Sequence, residues 1–203
     1  LLVQTILVLD GPRGTMLQRR KLSEADFRGD PFRSHAQDLK GNNDVLVLTR
    51  PEVIAEIHAE YLAGRADIIE TNTFSSTSVS QGDYALEDVA YELNVEAARL
   101  ARKVAAEWTA RTPEQPRFVA GSIGPTTKTL SISPDVNNPA FRAITFEEMR
   151  DAFKDQARGL IDGGSDLLLD ETQIDTLNAK AALVAIDEVF EEKGVRLPLM
   201  VSA

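Results

Sequence analysis

Two segments of the chain, LAGRADIIET at residues 62–71 and IDGGSDLLLDET at residues 161–172, share one order of features. Each begins at the end of a helical stretch marked by glycine, continues with an aspartate that opens a short apolar run, and ends at Glu-Thr. Glycine is the usual residue just after a helix, and an apolar run without alternation is typical of a strand covered on both faces. The repeat therefore predicts helix-to-strand units of a parallel sheet.

Apolar runs of this kind recur along the chain and are separated by segments of helical period. The predicted strands are residues 5–9, 67–70, 117–120, 166–169 and 197–201. About four helices lie between them. Two helix starts are predicted from capping boxes, Thr49 with Glu52 and Thr145 with Glu148, because a hydroxyl residue followed three positions later by glutamate satisfies free N–H groups.

The predicted loops after the strands, at residues 11–49, 72–87 and 122–144, are long, whereas the loops before the strands are short. This asymmetry is typical of (β/α) barrels, which build their sites at the carboxyl ends of the strands. An open doubly wound sheet would suit the length, but no glycine-rich dinucleotide fingerprint follows a strand. We therefore predict an α/β fold, an incomplete (β/α)8 TIM-type barrel of about five parallel strands and four helices. Residues 1–203 are expected to form the N-terminal portion of this barrel domain, which ends after the fifth strand.

Composition excludes several classes of function. The 203 residues carry 32 acidic and 22 basic side chains, a net charge of -10, which disfavours nucleic acid and anionic membranes as partners. The chain has no cysteine and two histidines, so disulfides and a self-contained cysteine-type zinc site are excluded. With no apolar run of membrane-spanning length and no predicted signal peptide, we expect a cytoplasmic protein.

Acidic residues end three of the predicted strands: Asp10, Glu70 and Glu171. The carboxyl ends of parallel strands in a barrel converge on one mouth, so these side chains are expected to meet there. Carboxylates around a pocket bind an ammonium group, hold a metal ion or act as acid and base. Alternatively, they cap loops or pair with neighbouring cations.

Three strand exits, two of which also carry the acids Asp10 and Glu70, offer neutral polar groups. Gly11 opens a tight turn that lets a ligand approach the backbone, and N–H groups there suit a carboxylate. Ser122 and Asn72 supply a hydroxyl and an amide at two other exits. Any of these exits is equally compatible with plain loop chemistry.

Six blocks of sequence carry a recognisable pattern. They are VLDGPRGTMLQ (8–18), EADFRG (24–29), LKGNND (39–44), IETNTF (69–74), SISPDVNNPAFR (131–142) and DTLNAKA (175–181). Together they resemble the homocysteine-binding domain of cobalamin-dependent methionine synthase. The block at 131–142 looks like methionine synthase rather than the betaine-dependent branch of the same superfamily.

The resemblance implies a (β/α)8 barrel that binds homocysteine through a zinc ion held by three cysteines. Those cysteines are expected beyond Ala203, and cobalamin and methyltetrahydrofolate are expected on other modules of the full enzyme. The resemblance also implies that Asp10 and Glu171 bind the ammonium group of homocysteine and that the turn at Gly11 faces its carboxylate. By the same resemblance, Asn72 and Ser122 are further substrate contacts, and no catalytic residue is assigned in this chain.

Three positions depart from the family pattern. Pro12 and Arg13 stand where a small residue and methionine are usual, and Pro12 removes one N–H group from the turn. Asp170 stands where an apolar strand residue is usual, and strand alternation predicts that it faces the helices, away from Glu171.

Three hypotheses follow. The first is that the chain is the N-terminal part of a homocysteine S-methyltransferase domain, inactive alone because it lacks the zinc cysteines, with homocysteine and the remaining half of the barrel as partners. The second is a non-catalytic amino-acid-binding or interaction module. The third is a different barrel enzyme that uses the strand-end carboxylates with a divalent metal.

Overall fold

The centre of the fold is a sheet of four parallel strands. The computed structural model describes residues 6–202, and within them the strands are β1 (Ile68–Glu70), β2 (Phe118–Ile123), β3 (Leu167–Asp170) and β4 (Leu199–Val201). Their order in the sheet is their order in the chain, and all three pairings are parallel. This is the arrangement of consecutive β/α units in a barrel, and it confirms the predicted α/β, incomplete TIM-type architecture.

The first predicted strand, residues 5–9, is not a strand in the described part of the chain. Leu9 forms only an isolated parallel bridge to Ile68, and Asp10 donates its N–H to the Ile68 carbonyl oxygen at 2.9 Å. The prediction of five strands is therefore wrong by one, since this pairing is too short to count as a strand. Thr5 lies outside the described residues.

The described residues contain eight α-helices where about four were predicted. The four long helices are α4 (Pro51–Ala63), α6 (Ala90–Arg111), α7 (Phe146–Asp162) and α8 (Thr176–Lys193). The others, α1 (Arg13–Arg19), α2 (Glu24–Arg28), α3 (Leu46–Thr49) and α5 (Ser78–Gln81), have four to seven residues and lie in the long loops. A single turn or two is too short to show a helical period, so sequence periodicity missed them.

The two faces of the sheet bury different apolar clusters. Ile68, Ala120 and Leu169 belong to a cluster on the inner face, together with Leu9. Leu168 points the other way and packs with apolar residues of α7 and α8. Burial on both faces is the physical reason for the unbroken apolar runs.

One of the two predicted capping boxes is confirmed. Thr145 caps α7, with Glu148 reaching back to its N–H at 2.8 Å. The prediction at Thr49 is wrong, because Thr49 ends α3 and α4 begins at Pro51 with Arg50 as its non-helical flanking residue. Proline disfavours the helical conformation in the residue before it, which separates the two helices at Arg50.

The sheet is open at β4. Leu199, Met200 and Val201 are 37%, 38% and 53% exposed, although they continue a parallel sheet whose other strands are largely buried. Helix α8, which precedes β4, packs mainly against α7. None of the helices within residues 6–202 is both long enough and apolar enough to cross a membrane.

Candidate functional site

A cavity of about 800 Å³ lies at the carboxyl ends of the strands. Its wall includes Gly11, Arg13, Asp44, Glu70, Asn72, Ser122 and Glu171. Four of the five residues predicted as substrate contacts therefore line one space. The fifth, Asp10, does not line the cavity but lies behind its wall, next to Glu70.

Glu171 and Ser122 form the most direct contact in the wall. The Ser122 hydroxyl donates to Glu171 Oε1 at 2.5 Å, and Ser122 is almost completely buried. The Glu171 N–H donates to the Ile123 carbonyl oxygen at 2.9 Å, so the ladder between β2 and β3 continues through this residue. The strand register thus positions both side chains before any ligand enters.

The carboxyl group of Asp10 is fully buried. Its Oδ2 accepts the Glu70 N–H at 3.1 Å and lies 3.7 Å from Arg13 Nη2, whereas its Oδ1 has no partner among the described residues. Burial raises the pKa of Asp10 to about 6, and Arg13 opposes part of that rise. Its predicted role as an ammonium ligand stays a prediction, and binding there requires a ligand to reach behind the wall.

Glu70 ends β1 with its side chain in the cavity wall. Burial raises the pKa of Glu70 to about 8, with the negative charges of Asp10 and Glu171 adding to the effect. The sequence identified Glu70 as a strand-end acid but did not place it among the substrate contacts. Its position at the end of a predicted strand was the signal available.

Arg13 extends from the start of α1 across the end of β1. Its Nη1 donates to the Thr71 carbonyl oxygen at 2.8 Å and its Nη2 to the Glu70 carbonyl oxygen at 2.5 Å. Among the described residues of the cavity wall it is the only cationic side chain, facing Asp44, Glu70 and Glu171. Arg13 therefore places one positive charge in an acidic cavity, at the position where the resemblance implies methionine.

The remaining wall is built by the segments before α3 and after β1. Asn72 donates its amide to the Asn43 carbonyl oxygen at 2.8 Å, which ties the two loops together. Asp44 is buried and accepts the Ser75 N–H at 2.7 Å and the Ser76 hydroxyl at 2.8 Å. Burial raises the pKa of Asp44 to about 6 despite these hydrogen bonds. Sequence reasoning did not single out Asp44.

The turn at Gly11 is tightly packed from behind. A Cβ atom at Gly11 would lie 3.3 Å from a ring carbon of Tyr61, and the Tyr61 hydroxyl donates to the Pro12 carbonyl oxygen at 3.1 Å. A side chain at Gly11 would therefore press on the tyrosine or push the turn into the cavity.

The described residues do not fit a zinc site. They contain no group of three histidine, cysteine, aspartate or glutamate side chains placed to hold a metal ion, and the sequence has no cysteine to supply a thiolate. What the wall offers is carboxylates, hydroxyls, amides and one guanidinium, a set suited to the charged head of an amino acid.

The fold and the cavity define the class: an α/β-barrel protein with a polar site at the carboxyl ends of its strands. Residues 7–203 match the family model of homocysteine S-methyltransferase. The chain belongs to the homocysteine S-methyltransferase family, which confirms the resemblance at the level of this family.

Solved structures of a homocysteine methyltransferase have the same fold. The oxidized form of the homocysteine methyltransferase MmuM from Escherichia coli is 23% identical, with a TM-score of 0.69 over 97% of this chain and 62% of that one. The metallated form is 22% identical, with a TM-score of 0.69 over 97% and 63% of the two chains. The chain thus spans a little over three fifths of these proteins, and at this identity the likeness shows the fold.

Proposed function

We propose that this chain is the homocysteine-binding part of a methionine synthase, which transfers a methyl group to the homocysteine thiol to form methionine. Membership of the homocysteine S-methyltransferase family supports the substrate and the reaction class. The observation that carries the proposal is the pair of Glu171 and Ser122, which present a positioned carboxylate to a cavity of sufficient size for an amino acid.

In this proposal the ammonium group of homocysteine binds Glu171, with Asp10 adding negative charge behind the wall. The α-carboxylate faces the turn at Gly11, on the side of the cavity where Arg13 supplies positive charge. Ser122 and Asn72 make the further polar contacts. A carboxylate and an ammonium held in this way form charge-assisted hydrogen bonds, which are about twice as strong as neutral ones.

The thiol is the part of homocysteine for which this chain offers no partner. Its pKa is near that of free cysteine, roughly 8.5, so little of it is thiolate at neutral pH. We propose that residues 1–203 form the first part of the barrel domain and that the zinc cysteines lie beyond Ala203. On this proposal the chain alone binds substrate but is inactive, and cobalamin and methyltetrahydrofolate are carried by other modules of a cytoplasmic enzyme.

The two alternatives differ in what they require of the chain. A barrel enzyme with a divalent metal needs clustered ligands, and the described residues contain no such group. A non-catalytic amino-acid-binding module would use the same head-group contacts, so the sequence that follows Ala203 distinguishes it from a methyltransferase. Cysteines after later strands favour the methyltransferase.

Calorimetric titration of the chain with homocysteine and with its N-acetyl derivative tests the proposed head-group contact. Acetylation removes the ammonium charge, so binding is expected to weaken by about 10- to 100-fold, the cost of one or more charge-assisted hydrogen bonds. Glu171→Gln should weaken homocysteine binding to a similar extent. Glu191→Gln, an exposed change on α8, is the matched control and should leave binding unchanged. Equal binding of both ligands would overturn the proposal.

A further inference from the structure

The Glu70 carboxyl group differs from those of Asp44 and Glu171 in the same cavity because it has no partner among the described residues. Among the described residues its oxygens accept no hydrogen bond and form no ion pair, although its backbone N–H is bonded to Asp10 Oδ2 at 3.1 Å. Glu171, by contrast, accepts the Ser122 hydroxyl. Glu70 is partly buried, and a carboxylate of this kind with no partner in the protein is less stable as an anion than one in open water.

Arg13 opposes part of the rise in the pKa of Glu70 but forms no ion pair with its carboxyl group. Arg13 directs its two Nη groups to the carbonyl oxygens of Glu70 and Thr71 and lies 3.7 Å from the carboxylate of Asp10. The guanidinium is thus bonded to the backbone of the strand end, while its ion pair is with a different acid. Glu70 keeps its position because the strand and Arg13 hold its main chain.

The charged and titratable groups around Glu70 come from four parts of the fold. Asp10 comes from the segment before α1 and Arg13 from the start of α1. Glu171 follows β3, and the Tyr61 hydroxyl comes from α4. Asp44 lies farther along the same cavity wall. Two of the groups that act most directly are carboxylates, and both favour a proton on Glu70.

We propose that Glu70 carries a proton in the ligand-free cavity and gives it up when the ammonium group of an amino acid enters, so that head-group binding releases a proton. This inference rests on the proposed function, since it takes the amino-acid head as the ligand. In the step the O–H bond of the carboxyl group breaks, its electron pair stays on the carboxylate oxygen, and the proton passes to solvent. The ammonium group then supplies the cation that the protein does not.

The size of the effect follows from the protonation of the free site. With the pKa of Glu70 raised to about 8, the residue holds about 0.9 of a proton at neutral pH. If the bound form is ionised, homocysteine affinity should rise about eightfold between about pH 6.5 and about pH 7.5. Glutamine at this position keeps the size of the side chain and has no proton to release.

Titration calorimetry with homocysteine in two buffers of different ionisation enthalpy measures the released protons directly. At neutral pH the wild-type chain should release about 0.9 of a proton more than Glu70→Gln. Glu191→Gln, the exposed control, should release the same number as wild type. Equal release from wild type and Glu70→Gln overturns this inference and leaves the proposed function standing, whereas failure of the wild type to bind homocysteine overturns both.

Carbon-detected NMR of the Glu70 carboxyl carbon in the wild-type chain tests the same inference without a variant. The ligand-free chain should show a midpoint near the raised pKa of about 8, and saturating homocysteine should move that midpoint lower. A midpoint in the ordinary range of glutamate in the free chain, about 4 to 5, would overturn the inference.

Discussion

Replacing Asp170 by asparagine should stabilise the protein at neutral pH. Asp170 ends β3 on the same face as Leu168, toward the helices, as strand alternation predicted, and it is completely buried. Its Oδ1 accepts the Gln173 amide at 2.6 Å, while its Oδ2 and the Gln173 Oε1 have no partner among the described residues. An asparagine amide at position 170 can donate to that unpaired Oε1 and so complete a reciprocal amide pair.

The magnitude follows from the pKa of Asp170. Burial raises it from 3.8 to about 6, so the folded state binds more protons than the unfolded state between those values. The contribution of Asp170 to stability is therefore most favourable below about pH 4 and is lost as the pH rises through about 6. A rise of about two pKa units corresponds to about 3 kcal/mol, which is the upper limit of the gain expected from Asp170→Asn at neutral pH.

Urea unfolding at about pH 4 and about pH 7.5 measures this gain. Asp170→Asn should be more stable than wild type by about 1–3 kcal/mol at the higher pH and by clearly less at the lower one. Asp88→Asn, an exposed change, is the control and should stay within about 0.5 kcal/mol of wild type at both. A gain in the free energy of unfolding that is the same at both pH values, or a loss at the higher pH, would show that ionised Asp170 does not destabilise the protein.

Three further changes are expected to have measurable effects. Gly163→Ala should lower the free energy of unfolding in urea by about 1–3 kcal/mol, because the new Cβ would lie 2.5 Å from the Cβ of Ala98. Gly82→Ala is the control, because a Cβ there meets nothing within 4 Å. Equal stabilities of the two variants would show that Gly163 is not closely packed. Arg13→Met should lower stability by about 2–4 kcal/mol through loss of two charge-assisted hydrogen bonds, and an unchanged urea midpoint would refute this. Pro12→Ala restores an N–H group beside the cavity and should tighten homocysteine binding in the complete domain by up to about tenfold, as measured by calorimetry. Equal affinities of wild type and variant would exclude a contact between this N–H group and the carboxylate of homocysteine.

The fold was largely predictable because its determinants are local. Four of the five predicted strands are present, since burial on both faces leaves unbroken apolar runs such as 166–169 in the sequence. Glycines also marked helix ends correctly, as at Gly64 and Gly194, which follow α4 and α8. The capping box predicted at Thr49 is wrong because its sequence pattern, a threonine followed three positions later by glutamate, also occurs where α3 ends at Thr49 and α4 begins at Pro51.

The site was predictable only in outline. Strand ends placed Glu70 and Glu171 at one mouth, but the absence of a partner for Glu70 depends on where the Arg13 guanidinium points, which no local pattern indicates. Asp44 is fixed by Ser75 and Ser76, more than thirty positions later in the chain. Such contacts arise from tertiary packing and leave no periodic signal.

In the proposed function, one acidic wall of the cavity binds the head of homocysteine. The most direct measurement is an experimental structure of this chain with homocysteine bound. We expect the ammonium nitrogen within hydrogen-bond distance of the Glu171 carboxylate, roughly 2.7–3.2 Å, and the α-carboxylate on the side of Gly11. Homocysteine bound elsewhere on the chain, or bound with its ammonium group away from Glu171, would contradict the proposed role of this wall.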